Sequence, residues 1–419
     1  MAAFDPGPVA HRPQDPDRAE VAPVPPQHAA RLPRGRPLVR IALATSSYLP
    51  RLGGVEEHVH HVSASLRERG HDVVVWTVDQ GDEPAPLDGT VRALPCPLPN
   101  RSFGGIARWL AAFPRAASAW RHAVTSDAPD VIVVQCFGAN GPWAATTARR
   151  HGIPLVYANH GETFMDAHDA FGTSALLRRA LGRTLRQARA VTSCSAYAAA
   201  DLARFGAHRP ARVVGNGIRL DLEPQPLTTG LPERYVAGVG RLVENKGFQA
   251  LLTAFARLAG ESAGIDLVIA GDGPERRRLE ELAEDLGISE RVVFTGALQR
   301  GQVRRVLDGA LSLVVPSHVE AFGIVILEGW RSGAAVLATD RGGPPEFVRD
   351  EVDGLLFDPL DIDALAALLA RIASDEALRG RLGESGRRAV ARYSWARVAE
   401  LYEGVLEDAV QDVAAKGRS

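Results

Sequence analysis

Residues 235–259, YVAGVGRLVENKGFQALLTAFARLA, hold Lys246, one of the chain's two lysines. The other is Lys416, and the rest of the 48 lysines and arginines are arginine. An apolar strand runs into Gly238 and Gly240, and a helix opens near Lys246 and Gly247. Helix-start amides, the Arg241 guanidinium and the Lys246 ammonium therefore converge, which is the chemistry of a phosphate or diphosphate site. Lysine serves there as a compact point charge on a flexible stem. The two glycines begin a G-x-G-x-x-G, but its third position is Val243, so a dinucleotide fingerprint fails. The plain alternative is a surface arginine and lysine in a βα loop.

A second stretch, VVPSHVEAFGIVILEGWRSGAAVLATDRGGPPEFV (314–348), places Glu320 and Glu328 eight residues apart. The pattern predicts a helix starting at Gly323. Glu320 then sits in the loop before it, beside the free N–H groups of Phe322, Gly323 and Ile324, and Glu328 lies about a turn and a half in. Such amides donate to an anionic phosphate, and the carboxylates accept from sugar hydroxyls. The alternative makes Glu320 a helix-dipole residue and Glu328 part of a solvated face.

Both stretches follow predicted strands. In the first half strands are expected at 39–44, 73–78, 131–135, 155–159, 190–193 and 212–214. In the second half they are expected at 235–239, 266–270, 291–294, 311–316 and 335–338. Helical spacing lies between them, as in Val55, Val59, Val62 and Leu66, a helix closed by Gly70. Alternation of this kind argues for parallel sheets covered on both faces. The expected fold is α/β, two doubly wound Rossmann-like domains facing a cleft, with ligands beyond the carboxyl ends of the strands. The expected divisions are a disordered Pro-rich tail (1–37), a first domain (38–220), a linker (221–232) and a second domain (233–392). A C-terminal helix (393–412), with apolar spacing of three and four, is expected to cross back onto the first domain.

Composition sets the outer bounds. A chain of 419 residues exceeds one ordinary core, and 46% hydrophobic and 23% charged content is that of a globular protein. A net charge of −2 gives no reason to expect a nucleic-acid partner. Cys96, Cys136 and Cys194 form no C-x-x-C, which fits a reducing cytoplasm. No signal-like stretch and no run of ~20 apolar residues is found.

Taken together, SHVEAFGIVILE resembles the E-x7-E element of retaining, GT-B-fold glycosyltransferases of family 4 (group 1). GRLVENKGF is similar to that family's phosphate-binding element, GDGPERRRLE to its following strand-turn-helix, and RGGPPEFV and DGLLFDP to its last loops. GGVEEHV resembles its glycine-rich donor loop, and NHGE the segment with its active-site histidine. The resemblance covers about residues 38–405. It implies that Arg241 and Lys246 bind the donor diphosphate and that Glu320 contacts the transferred sugar. The backbone of Phe322, Gly323, Ile324 and Val325 would sit by sugar and phosphate, and Glu328 would hold the ribose hydroxyls. Gly53 and Gly54 would approach the phosphates from the first domain, His160 would stand at the reaction centre, and Leu298 would line the base. The implied reaction moves a sugar from a UDP-, GDP- or ADP-sugar to an acceptor hydroxyl with retention of anomeric configuration. The acceptor is a small polyol or natural product, a glycolipid or a polysaccharide.

Alternatives stand beside these readings. Gly53 and Gly54 also suit a tight turn, and His160 a packed histidine. His58, His60 and His61 read as ordinary helix residues, no partner carboxylate for a metal being apparent. DID at 361–363 reads as a helix cap rather than a metal motif. No metal and no cofactor beyond the nucleotide-sugar substrate is expected. A nucleotide-sugar epimerase or phosphorylase of the same fold, or a non-catalytic sugar-nucleotide-binding subunit, are the other functional readings. Residues 102–124, interrupted by Pro114, and the arginine-rich 175–190 are amphipathic. Packing on the sheet is the favoured reading, and peripheral contact with the inner membrane face the second.

Overall fold

The computed structural model describes residues 38–51, 53–79, 91–99, 102–165, 170–261 and 264–416, so the expected Pro-rich tail (1–37) lies outside them. The first sheet contains β1 (Arg40–Thr45), β2 (Asp72–Val78), β3 (Val91–Leu94), β4 (Val131–Gln135), β5 (Leu155–Asn159), β6 (Ala190–Ser193) and β7 (Arg212–Val213). The second contains β8 (Tyr235–Val239), β9 (Asp266–Ala270), β10 (Val292–Gly296), β11 (Ser312–Val315), β12 (Ala335–Thr339) and β13 (Leu355–Phe357). Their orders, β3-β2-β1-β4-β5-β6-β7 and β10-β9-β8-β11-β12-β13, place the switch points between β1 and β4 and between β8 and β11. All pairings are parallel. This is the doubly wound α/β pattern twice over, the GT-B architecture.

Strands buried on both faces explain the continuous apolar runs. Along β1, Ile41 and Leu43 face one cluster while Ala42 and Ala44 face the other. Two strands escape the sequence reading, β3, which buries only Leu94 of its four residues and so shows no apolar run, and the three-residue β13. Both are recruited by register, with β2 and β12 respectively.

The helix Trp395–Lys416 buries Trp395, Val398, Ala399, Tyr402, Val405, Leu406 and Ala409 against Val59, Val62 and Leu66 of the helix Gly54–Glu68. Each large apolar side chain so covered is worth about 1.5–3 kcal/mol. Glu403, on the same face, takes Arg69 at 2.5 Å and His71 at 3.0 Å. Burial alone would raise its carboxyl, but these two partners outweigh it and hold the pKa low. The chain passes between the sheets twice, and the crossings run side by side. Ile218 N donates to Tyr393 O at 2.7 Å, and Ile218 pairs with Ser394 in a parallel bridge.

Pro114 does not interrupt its helix, which runs unbroken from Phe103 to Asp127. Leu110, four residues earlier, whose carbonyl can take no N–H from Pro114, is 58% exposed. Ala116, Trp120, Ala123 and Val124 pack on the sheet, whereas Ile106 and Leu110 face solvent. In the helix Ala175–Gln187, Leu177, Leu181 and Leu185 face inward, and Arg179, Arg183 and Arg186 face out. Cys96, Cys136 and Cys194 form no disulfide with one another. Among the described residues no helix is long and apolar enough to cross a membrane.

Candidate active site in the cleft

After β8 the chain makes a short turn at Glu244–Lys246 before the helix Phe248–Glu261. His318 N donates to Asn245 O at 2.9 Å, which ties this turn to the loop after β11. The tie brings Lys246 Nζ to 2.5 Å from Glu320 Oε2, and Ser317 Oγ donates to the same oxygen at 3.1 Å. Glu320 is 5% exposed. Arg241 is exposed, and among the described residues its guanidinium has no bonded partner.

The helix after Glu320 begins at Ile324, one residue later than expected, because Gly323 takes φ +89° and serves as its N-cap. The first-turn amides of Ile324 and Val325 therefore have no partner within the helix. Phe322 is buried and stacks on Phe347 at 4.7 Å, so its ring is committed to the core. Leu298, Ile324 and Val325 flank the same apolar cluster. Gly342, at φ +110°, pairs with Glu320 across the loop after β12. A Cβ there would fall deep inside the van der Waals shell of Glu320 O. Gly342→Ala is therefore expected to displace Glu320, lowering turnover by at least ~10-fold and the melting temperature by several degrees. Steady-state rates and calorimetry check it.

Glu328 is 4% exposed, and its Oε1 takes Arg300 Nη1 at 2.8 Å. Arg300 Nε reaches across the cleft to Glu57 Oε1 at 3.1 Å, and Glu57 Oε2 meets His61 Nε2 at 3.2 Å. Burial would raise Glu57, but the His61 hydrogen bond and the Arg300 charge overrule it and pull its pKa down to about 2. Arg300 is desolvated, yet Glu328 and Glu57 push its pKa up. A cavity of about 180 Å³ opens beside this ion chain, lined by Leu49, Glu57, His61, Arg300, Ile324 and Glu328. Gly54 stands at the same seam, where a Cβ would lie 3.7 Å from Ile324 Cδ1, whereas one on Gly53 would meet its own neighbour Glu56. A further cross-cleft tie runs from Ala196 N and Tyr197 N to Glu346, each at 2.7 Å.

His160 ends β5's exit loop. Its amide donates to Glu162 Oε2 at 2.8 Å, while Glu162 Oε1 takes Phe137 N and Tyr157 OH at 2.6 and 2.7 Å. The ring's Nε2 lies 2.7 Å from Gln135 Oε1, and His58 meets its edge at 4.6 Å between centroids. Burial drives His58 down to about 4, and burial with His58 nearby keeps His160 well below the ordinary histidine range.

The structure thus brings Lys246 to Glu320, Gly54 to Ile324, and Glu328 to a residue the sequence reading missed, Arg300. His58, His60 and His61 all lie on the helix Gly54–Glu68, and the sequence reading did not anticipate the surroundings of two of them. His61 has a carboxylate partner, and His58 is a fully enclosed polar group; its place on the Val55–Val59–Val62 stripe was the available signal. Asp361 caps its helix through Ala364 N at 2.9 Å, as expected. Among the described residues no group of three or more His, Cys, Asp or Glu side chains is placed to hold a metal ion.

Two family profiles match back to back. Glycosyltransferase Family 4 covers residues 52–222, and Glycosyl transferases group 1 covers residues 222–389. The chain belongs to the group 1, family 4 glycosyltransferases. Among curated members of this family, the lipopolysaccharide core biosynthesis glycosyltransferase LpsE of Rhizobium meliloti is 36% identical over 207 residues. That match spans 48% of the chain but 59% of LpsE, less than two thirds of it. The GDP-mannose-dependent phosphatidylinositol monomannoside mannosyltransferase of Mycolicibacterium smegmatis is 29% identical, with 87% of the chain and 98% of that protein covered. Sucrose-phosphate synthase of Thermosynechococcus elongatus shares the glycosyltransferase fold, with a TM-score of 0.74, 24% identity, and 90% and 100% of the two chains covered.

Proposed function

We propose that this glycosyltransferase moves a sugar from a nucleotide-diphosphate sugar to an acceptor hydroxyl with retention of anomeric configuration and without a metal ion. The observation that carries the reading is the Lys246–Glu320 contact beside the unpaired amides of the helix Ile324–Ser332, with Arg241 free nearby. Breaking a sugar–phosphate bond builds negative charge on the departing diphosphate. Arg241, Lys246 and those amides are preorganised to receive it. Glu320 then contacts the sugar, and Glu328 accepts from the ribose hydroxyls through the oxygen that Arg300 leaves open. Leu298 lines the base, Gly53 and Gly54 approach the phosphates, and His160 meets the sugar. The departing phosphate takes the acceptor's proton, and the acceptor enters on the face that it leaves.

Thermal shift against UDP-, GDP- and ADP-sugars tests the donor, since a ligand bound by the folded state alone stabilises it in proportion to its excess over Kd. No shift with any nucleotide sugar overturns the reading. The product anomer, read by NMR coupling constants, is expected to match the donor, and the rate is expected to be unchanged in excess chelator. Epimerised or phosphorolysed donor in place of transfer product would favour the alternative reactions of this fold.

A glycolipid or polysaccharide acceptor is supported by the names of LpsE and the mannosyltransferase. Support for peripheral contact with an inner membrane face comes from the helix Phe103–Asp127. Its first half exposes Ile106 (41%) and Leu110 (58%) next to the exposed Arg108 and Arg115. Flotation with anionic liposomes is expected to recover the protein, and Leu110→Glu to abolish recovery. Equal flotation with neutral vesicles would argue against an electrostatic contribution.

A further inference from the structure

The buried polar groups behind His160 form one continuous chain. Gln135, the last residue of β4, is fully buried, and its Oε1 faces His160 Nε2. A carbonyl oxygen only accepts, so this ring nitrogen carries the proton. Gln135 Nε2 donates to Tyr402 OH at 3.5 Å. Tyr402 OH meets His58 Nε2 at 3.0 Å, and His58 Nδ1 meets Asn216 Oδ1 at 2.7 Å. Asn216 Oδ1 can only accept, so His58 is protonated on Nδ1 and its Nε2 must accept from the tyrosine hydroxyl. Each donor then finds one acceptor in a single direction, from His160 through Gln135, Tyr402 and His58 to Asn216. Among the described residues nothing bonds His160 Nδ1.

We propose that Gln135 is a positioning residue that holds His160 in the Nε2–H tautomer, leaving Nδ1 as a hydrogen-bond acceptor for a substrate hydroxyl. His160 then receives a proton contact and does not supply one. That role rests on the transferase reading, whereas the tautomer does not. The chain is anchored on both crossings, since Asn216 lies in the first and Tyr402 on the helix that follows the second. Burial of the ring beside His58 keeps it neutral, so the tautomer is what decides which nitrogen can accept.

The first test needs no substrate. In 15N-histidine-labelled protein, with His160→Gln to assign the resonance, His160 is expected to show an unprotonated Nδ1 and a protonated Nε2. A proton on Nδ1 overturns the proposal while leaving the transferase reading intact. The second test is kinetic. Gln135→Leu is expected to lower kcat by about 100-fold, the scale of one lost transition-state hydrogen bond, with donor KM changed less than about threefold. Gln135→Glu keeps an acceptor oxygen and is expected to recover most of the loss. Wild-type kcat in a folded Gln135→Leu, its melting temperature confirming the fold, overturns the proposal. A parallel rise in KM with no rescue by glutamate does so as well, by showing a merely structural role.

Discussion

Lys246→Ala is expected to lower turnover by about 10³-fold, because the change removes two things at once. One, on the proposed reading, is a cation at the departing diphosphate, worth roughly 10²–10³ in rate by analogy with single lost electrostatic contacts. The other is the neutralising partner of Glu320, whose side chain is 6% exposed and keeps only the Ser317 hydroxyl. Stripping one member from a buried pair costs about 3–5 kcal/mol where both are enclosed. Lys246 is itself 25% exposed, so the stability loss belongs at or below the lower end of that range. A second substitution separates the effects. Glu320→Gln on the Lys246→Ala background is expected to restore thermal stability but no activity. Lys246→Arg keeps the charge but replaces a point donor with a planar fork, and it is expected to retain a minor fraction of the rate. Release of nucleoside diphosphate gives the rates, and calorimetry gives the stabilities. A turnover within about threefold of wild type for Lys246→Ala would remove the diphosphate role.

Arg300→Ala is expected to raise donor KM by about 10- to 100-fold with a smaller change in kcat, a loss of roughly 1.4–2.8 kcal/mol of binding. Glu328 loses the group that fixes its Oε1, and Glu57 and Glu328 are left as like charges facing one another across the cleft. The stability effect has a definite sign with pH. Folded Glu57 has its pKa depressed from 4.5 to about 2, so its contribution is present above about pH 4.5 and lost as pH falls through about 2. The whole shift corresponds to something on the order of 3 kcal/mol with the side chain 16% exposed, and the His61 hydrogen bond supplies the larger single part of it, so Arg300→Ala forfeits only a fraction. The difference in melting temperature between wild type and Arg300→Ala is therefore expected to be largest near neutrality and to shrink on acidification toward pH 2. A difference that grows on acidification would contradict the bridge.

What the sequence revealed, and what it hid, follows from how local each signal is. The loop after β8 and the E-x7-E element are contiguous, and strands such as β4 are buried throughout, so composition alone marks them. The start of the helix Ile324–Ser332 was misplaced by one residue because Gly323 adopts a left-handed conformation that no periodicity records. Arg300 was invisible for a different reason. It matters only because residues 57, 300 and 328 meet in space, and nothing near QRGQ announces two carboxylates. Gln135 lay at the end of a recognised strand, yet its acceptor role needs His160 and Tyr402 beside it.

The helix Trp395–Lys416 completes the core of the first sheet although it is the last described element of the chain. On the ribosome, the first sheet emerges with Val59, Val62 and Leu66 uncovered and must wait for that helix. Meanwhile β8–β13 and their helices are all in place by residue 390. The usual order of co-translational folding, first-made first-finished, is thereby reversed. Nascent chains stalled before residue 395 are expected to carry a protease-resistant second half and a chaperone-dependent first one.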